Sequence, residues 1–318
     1  MLAILLTTFP FFALVLCGYA AVSGRLLPIA AIPGLNIFVL YFALPCLLYR
    51  FGADTALAQL LDPLVVAIYL ACAALMVAIA TSFSRRQGSD WNNAAFGALV
   101  AAFPNTGYMG VPLLVALLGP PAAGTAILTI LVDLIFTTSV CVAMSRLAAA
   151  GTDGARTAAR GALRSVAINP LPWSIIAGAA ASAIGITFVA PLMHTVSLLA
   201  DAASPVALFT IGAVLARSRA TSSARTPLRD YVPLALAKLV VHPLLVFAVC
   251  RVLQYAGVPL DPRAITVLVL VAALPSASNV SVLAERFEAD NGRIARIILL
   301  STALAFLTFS AAVALLAK

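Results

Sequence analysis

Two short polar runs interrupt long apolar stretches, and each opens on a proline: Pro104-Asn105-Thr106 and Pro275-Ser276-Ala277-Ser278-Asn279. Amide and hydroxyl side chains placed just after a proline can do two kinds of work. They can hydrogen-bond a ligand, or they can cap the backbone groups that the proline frees. Helices restarting near Asn105 and Ser276 would also present unsatisfied N–H groups and a partial positive charge, which suits a carboxylate better than a cation or a neutral sugar. Pro104, Asn105, Thr106, Pro275, Ser276, Ser278 and Asn279 are therefore the candidate substrate-binding residues. Capping is the alternative, and the two roles are physically compatible.

Four ionisable residues fall inside apolar segments: Asp133, Asp201, Lys238 and His242. Charges at such positions are costly and mark function by default. One reading is a coupling site in which a carboxylate takes a proton or sodium and Lys238 supplies the counter-charge or attracts the anion. The other is a structural Asp133–Lys238 pair, or Lys238 snorkelling toward water. His242 precedes Pro243, so packing or a kink also accounts for it, and His194 sits at a segment's end. The five cysteines lie singly, with no paired spacing, and no HExxH, GxSxG or P-loop pattern occurs. No catalytic residue, metal site or cofactor is assigned, and pumping by nucleotide hydrolysis is excluded within this chain.

These residues need elements that hold them in a bilayer. Of 318 residues, 63% are hydrophobic and 9% charged, with a mean hydropathy of +1.11, whereas soluble domains carry about 25% charged residues. That balance excludes a soluble enzyme, a nucleic-acid binder and a disulfide scaffold. A spanning helix needs about 20 mostly apolar residues, and ten such runs are read: 2–22, 33–50, 63–83, 92–118, 121–147, 168–188, 191–216, 231–254, 263–285 and 293–317. The first has no basic start and no small-residue cleavage site, and is read as a retained span. The expected class is all-α integral membrane.

Ten spans put both termini on one side. Arg25, Arg85, Arg86, Arg146, Arg156, Arg160, Arg164, Arg217, Arg219, Arg225, Arg229, Arg286, Arg293 and Arg296 fall opposite the termini, while Arg50, Arg251, Arg263 and Lys318 fall with them. Positive-inside logic makes the first set cytoplasmic, so the termini face outside the cell's inner (plasma) membrane. A basic connector at 148–165 separates five spans (1–147) from five (166–318), and an odd number per half makes any repeat inverted. Ala101-Ala102-Phe103-Pro104 in span 4 matches Ala272-Ala273-Leu274-Pro275 in span 9, and Ala43-Leu44-Pro45 matches Ala203-Ser204-Pro205. Pro104 and Pro275 each lie about 18 Å into their spans, where unwound backbone survives only if packed in protein or lining a cavity. Spans 4 and 9 are expected to be broken, crossing helices.

The segment Phe103-Pro104-Asn105-Thr106-Gly107-Tyr108-Met109-Gly110-Val111-Pro112, the run from Leu274 to Phe287 and the Lys238…His242-Pro243 pattern together resemble the auxin efflux carrier family across the whole chain. That family includes plant auxin carriers and bacterial permeases, some assigned to malonate or malate. The resemblance implies a secondary transporter of an elevator type. Spans 1, 2, 6 and 7 would form a scaffold and homodimer interface in the lipid bilayer, and spans 3–5 with 8–10 a moving transport domain. It implies that Asn105 helps bind a small carboxylate and that Asp201 belongs to the scaffold. The second crossover departs from the pattern: Ser276 follows its proline directly and Asn279 comes three residues later, so neither a symmetric asparagine pair nor auxin is implied. Set against the carrier are an intramembrane enzyme and a channel or receptor on a carrier-like fold.

Overall fold

A computed structural model describes residues 2–54, 62–146, 167–186, 188–221 and 226–316. The expected connector at 148–165 lies outside the described residues. In chain order the helices are α1 (Leu2–Ser23), α2 (Ile32–Phe38), α3 (Leu44–Asp54), α4 (Pro63–Arg86), α5 (Trp91–Ala102), α6 (Val111–Leu118), α7 (Ala122–Val132), α8 (Thr138–Ser145), α9 (Pro170–Ala183), α10 (Ala190–Thr221), α11 (Leu228–Leu236), α12 (His242–Tyr255), α13 (Pro262–Ala273), α14 (Asn279–Arg286) and α15 (Asn291–Leu316). One π turn joins α2 to α3 (Val39–Ala43), another leads into α6 (Thr106–Gly110), a third joins α7 to α8 (Asp133–Thr137), and a fourth joins α11 to α12 (Ala237–Val241). Among the described residues the only strand-like pairing is one isolated antiparallel bridge, Pro104 with Ser276.

Counting each π-joined pair as one rod, seven helices among the described residues are long and apolar enough to cross a membrane, so this is an integral membrane protein. That is three fewer than the ten apolar runs. Two of the three are the proline-broken runs, which leave Thr106–Leu118 and Pro262–Ala273 as shorter apolar helices, and the third is α9, at 14 residues. Local signals set several ends. Asp90, Asn169 and Asp261 accept from the first-turn amides of Asn93, Leu171 and Arg263, the usual N-cap bond. Gly119, at φ +85°, closes α6 in a conformation that side chains resist.

The chain divides into two compact units. The first holds Met1–Asp62, Thr106–Leu128 and Asn169–Thr221. Its two main crossings, α1 on α10 and α3 on α9, are built on reciprocal glycines. A Cβ on Gly18 would strike the Phe209 carbonyl, and one on Gly212 would strike that of Val15. A Cβ on Gly52 would strike the Ile175 carbonyl, and one on Gly178 that of Tyr49. Small residues let helix backbones touch where no hydrophobic drive between helices exists in lipid.

The second unit holds Pro63–Asn105, Thr129–Ile168 and Ser222–Lys318. There α5 is buried without a break from Ala94 to Ala102, and α13 from Val267 to Ala273. Helices apolar on every side belong in the middle of a packing unit. Around them α4 packs on α5 and α12, α8 on α5, and α15 on α11, α13 and α14.

Candidate functional site

The two central helices of the second unit both stop because of a proline. Phe103 and Leu274 take extended backbone (ψ 106° and 155°), as residues before proline must, and Pro104 and Pro275 have no N–H to continue the ladder. The freed segments pair with each other. Asn105 N–H donates to the Pro275 carbonyl (2.8 Å) and Ala277 N–H to the Phe103 carbonyl (2.9 Å). Ser276 N–H donates to Ser301 Oγ at 3.2 Å, and that hydroxyl donates to the Ile298 carbonyl. The crossing backbone is thus satisfied inside the protein, which an unwound segment at membrane depth requires.

Its side chains are not. Asn105 Oδ1, Ser276 Oγ and Asn279 Oδ1 are buried and have no hydrogen-bond partner, and Asn105 and Ser276 are only 3% and 1% exposed. Ser278 occupies the N-cap of α14 without a side-chain capping bond, although its carbonyl accepts from Ser281 Oγ. None of these oxygens makes a capping bond, and an unpaired buried polar group costs about 1–3 kcal/mol. Thr106 opens the π turn of the first unit, is likewise buried, and leaves its own hydroxyl unpaired.

A second polar group lies in the same unit. Lys238 is fully buried on its π turn. Its ammonium donates to the Ala272 carbonyl (2.6 Å) and meets His242 Nδ1 at 3.2 Å. Asp133, also fully buried on a π turn, accepts from Tyr69 Oη at Oδ2 (2.8 Å) and from Thr137 Oγ1 at Oδ1 (2.9 Å). The rings of Tyr69 and His242 are 6.3 Å apart, and His242 Nε2 has no partner. Among the described residues Asp133 and Lys238 form no ion pair within 4.0 Å, and Lys238 does not snorkel to water. Asp201 stands apart in the first unit, with its side chain 65% exposed and paired to Arg50 Nη1 at 2.7 Å.

All five cysteines are free thiols, and no group of three or more metal-ligating side chains occurs among the described residues. A family model described as "Membrane transport protein" matches residues 3–313. The chain belongs to that family, the auxin efflux carrier family. A Rhizobium meliloti (strain 1021) relative named "Putative malonate transporter" is 32% identical over 312 residues, covering 94% of this chain and 91% of the relative. The Escherichia coli (strain K12) protein named "Uncharacterized transporter YfdV" is 27% identical over 195 residues, covering 61% of this chain and 59% of its own. A Shigella flexneri protein of the same name matches equally. The protein is a membrane transporter and not an enzyme.

In this auxin efflux carrier family member, three hydrogen-bond partners, one of the crossing, one of Asp133 and one of Lys238, carry no distinct signal in the sequence. Ser301 is one of many small residues on α15, Tyr69 one aromatic in an apolar run, and the Ala272 carbonyl has no residue type at all. Only one of these left a trace in the sequence: a helix stopped by Pro275 must leave carbonyls unpaired in its last turn, and a buried lysine is a natural donor to them.

Proposed function

We propose that this transporter carries a small carboxylate, with dicarboxylates of the malonate or malate kind favoured, bound where Phe103–Asn105 crosses Pro275–Ala277. The observation that carries the reading is the set of buried, unpartnered atoms on Asn105, Ser276 and Asn279 around a backbone crossing that needs none of them. The Asn105 amide can turn its NH2 toward a carboxylate, and the Ser276 hydroxyl can donate to one. The name of the Rhizobium meliloti relative points to the same substrate class.

The ten runs form an inverted five-plus-five repeat in this reading. Gly18, Pro45 and Gly52 recur 160 residues later as Gly178, Pro205 and Gly212. The α1–α10 glycine crossing therefore has its repeat-mate in the α9–α3 crossing. Spans 1, 2, 6 and 7 serve as the scaffold of an elevator and as its homodimer face. Spans 3–5 and 8–10 serve as the transport domain. Supporting this division, the first unit contains spans 1, 2, 6 and 7 and the second contains spans 3, 8, 9 and 10, with 106–128 grouped in the first. The termini face outside the inner membrane, as the arginine distribution favours.

The test is thermal unfolding of purified protein with malonate, malate, succinate, lactate and indole-3-acetate at fixed pH and ionic strength. A native-state ligand at a hundredfold excess over its Kd adds about 2.7 kcal/mol of stability. Stabilisation by a dicarboxylate that disappears in Asn105→Ala is the expected result. Unchanged stabilisation in that variant would remove the site assignment, and flux that never saturates would favour a channel.

A further inference from the structure

We propose that anion binding at the crossing is linked to uptake of one proton by Asp133, so that a dicarboxylate and a proton travel together; this rests on the substrate site proposed above. The Lys238 ammonium donates to the Ala272 carbonyl and lies against His242 Nδ1, whose role depends on its tautomer, and it supplies the positive charge of the array. Asp133 is held only by the hydroxyls of Tyr69 and Thr137. A hydroxyl can turn from donor to acceptor, so Asp133 keeps its hydrogen bonds with or without a proton. The two groups belong to one buried array through the Tyr69 and His242 rings. Its other titratable members are the thiols of Cys72 on α4, which faces Tyr69, of Cys141 on α8, which faces Asp133, and of Cys250 on α12, which faces Cys72.

In an interior of low dielectric an uncompensated charge is expensive. With the crossing empty, the Asp133 carboxylate balances Lys238. Lys238 is one hydrogen bond from α13, at a residue three positions before Pro275. When a carboxylate arrives at that crossing, it takes over as counter-charge. The Asp133 carboxylate then accepts a proton from bulk water to become the neutral acid, and the charge of the buried array rises by one as the anion's charge is added. By reciprocity, the anion strengthens proton binding as much as the proton strengthens anion binding.

Calorimetric titration of malonate into the full-length protein, in two buffers of different ionisation enthalpy at one pH, reads the protons taken up. The expected result is about one proton per malonate, with affinity falling on the order of tenfold per pH unit as pH rises. Asp133→Asn, which mimics the protonated acid, should bind malonate with no proton uptake and no pH dependence. Should that variant not fold, the wild-type infrared difference spectrum with isotope-labelled malonate must gain a protonated-carboxyl band. Malonate binding without proton uptake, or uptake unchanged in Asp133→Asn, overturns this proposal alone. Absence of binding by malonate, malate and succinate overturns it together with the substrate site.

Discussion

Lys238 donates its ammonium to the carbonyl of Ala272 at 2.6 Å, and so caps the half-helix α13 just before Pro275 breaks it. A cation at a helix C-terminus meets both the orphan carbonyls and the negative end of the dipole. The lysine supports the crossing through backbone and makes no bond to the side chains of Asn105 or Ser276.

Replacing that cap should therefore loosen the crossing. Lys238→Met removes a charged hydrogen bond worth about 1.5–3 kcal/mol and should lower the unfolding temperature while weakening malonate binding. Lys238→Arg should not restore either, because the forked guanidinium cannot occupy the ammonium's position between Ala272 and His242. Unfolding and binding measured on both variants check this.

Ser301→Ala should destabilise the protein by about 1–3 kcal/mol by leaving the buried Ser276 N–H without an acceptor. A denaturation midpoint equal to wild type would show that another group had taken the bond.

Ser276→Ala should behave in the opposite way. Its hydroxyl has no hydrogen-bond partner, so its loss should be neutral or stabilising by up to about 1 kcal/mol, while malonate stabilisation shrinks. A site tuned for a ligand rather than for stability gives this trade-off.

Asp201→Asn should leave malonate affinity as it was, because its carboxylate pairs with Arg50 within the first unit. A large loss of transport in that variant would return Asp201 to the list of coupling residues.

Gly18→Leu and Gly178→Leu should be similarly harmful, costing about 1–3 kcal/mol each or preventing folding, since each side chain would enter a partner helix's backbone. Gly34→Ala meets nothing within 4 Å and should be neutral or slightly stabilising. Comparing the first two variants also tests the inverted repeat, because its symmetry makes them equivalent.

Much of the fold is legible in the sequence because its causes are local. Apolar runs and the prolines at 104 and 275 act within a few residues of themselves, so helix positions and both breaks can be read along the chain. The sequence places a break inside each of the runs 92–118 and 263–285, and the structure parts them at Phe103–Asn105 and Leu274–Ser278. Candidate polar residues are legible for the same reason: few side chains other than a ligand site or a cap explain asparagine and serine at that depth. Tertiary structure showed that the crossing backbone has its own partners, while Asn105 Oδ1 and Ser276 Oγ have none, which is what supports the ligand reading proposed here.

The sequence by itself determined that this is a helical membrane protein with two proline-broken segments, since composition and backbone stereochemistry need no distant partner. Only tertiary structure decided that Asp133 and Lys238 do not pair, that Tyr69 and Thr137 hold the one while Ala272 and His242 hold the other, and that Ser301 secures the crossing. Each of these contacts depends on the phase of two helices at a given depth. A single π turn, such as those at Asp133–Thr137 and Ala237–Val241, rotates that phase enough to change which side chains meet.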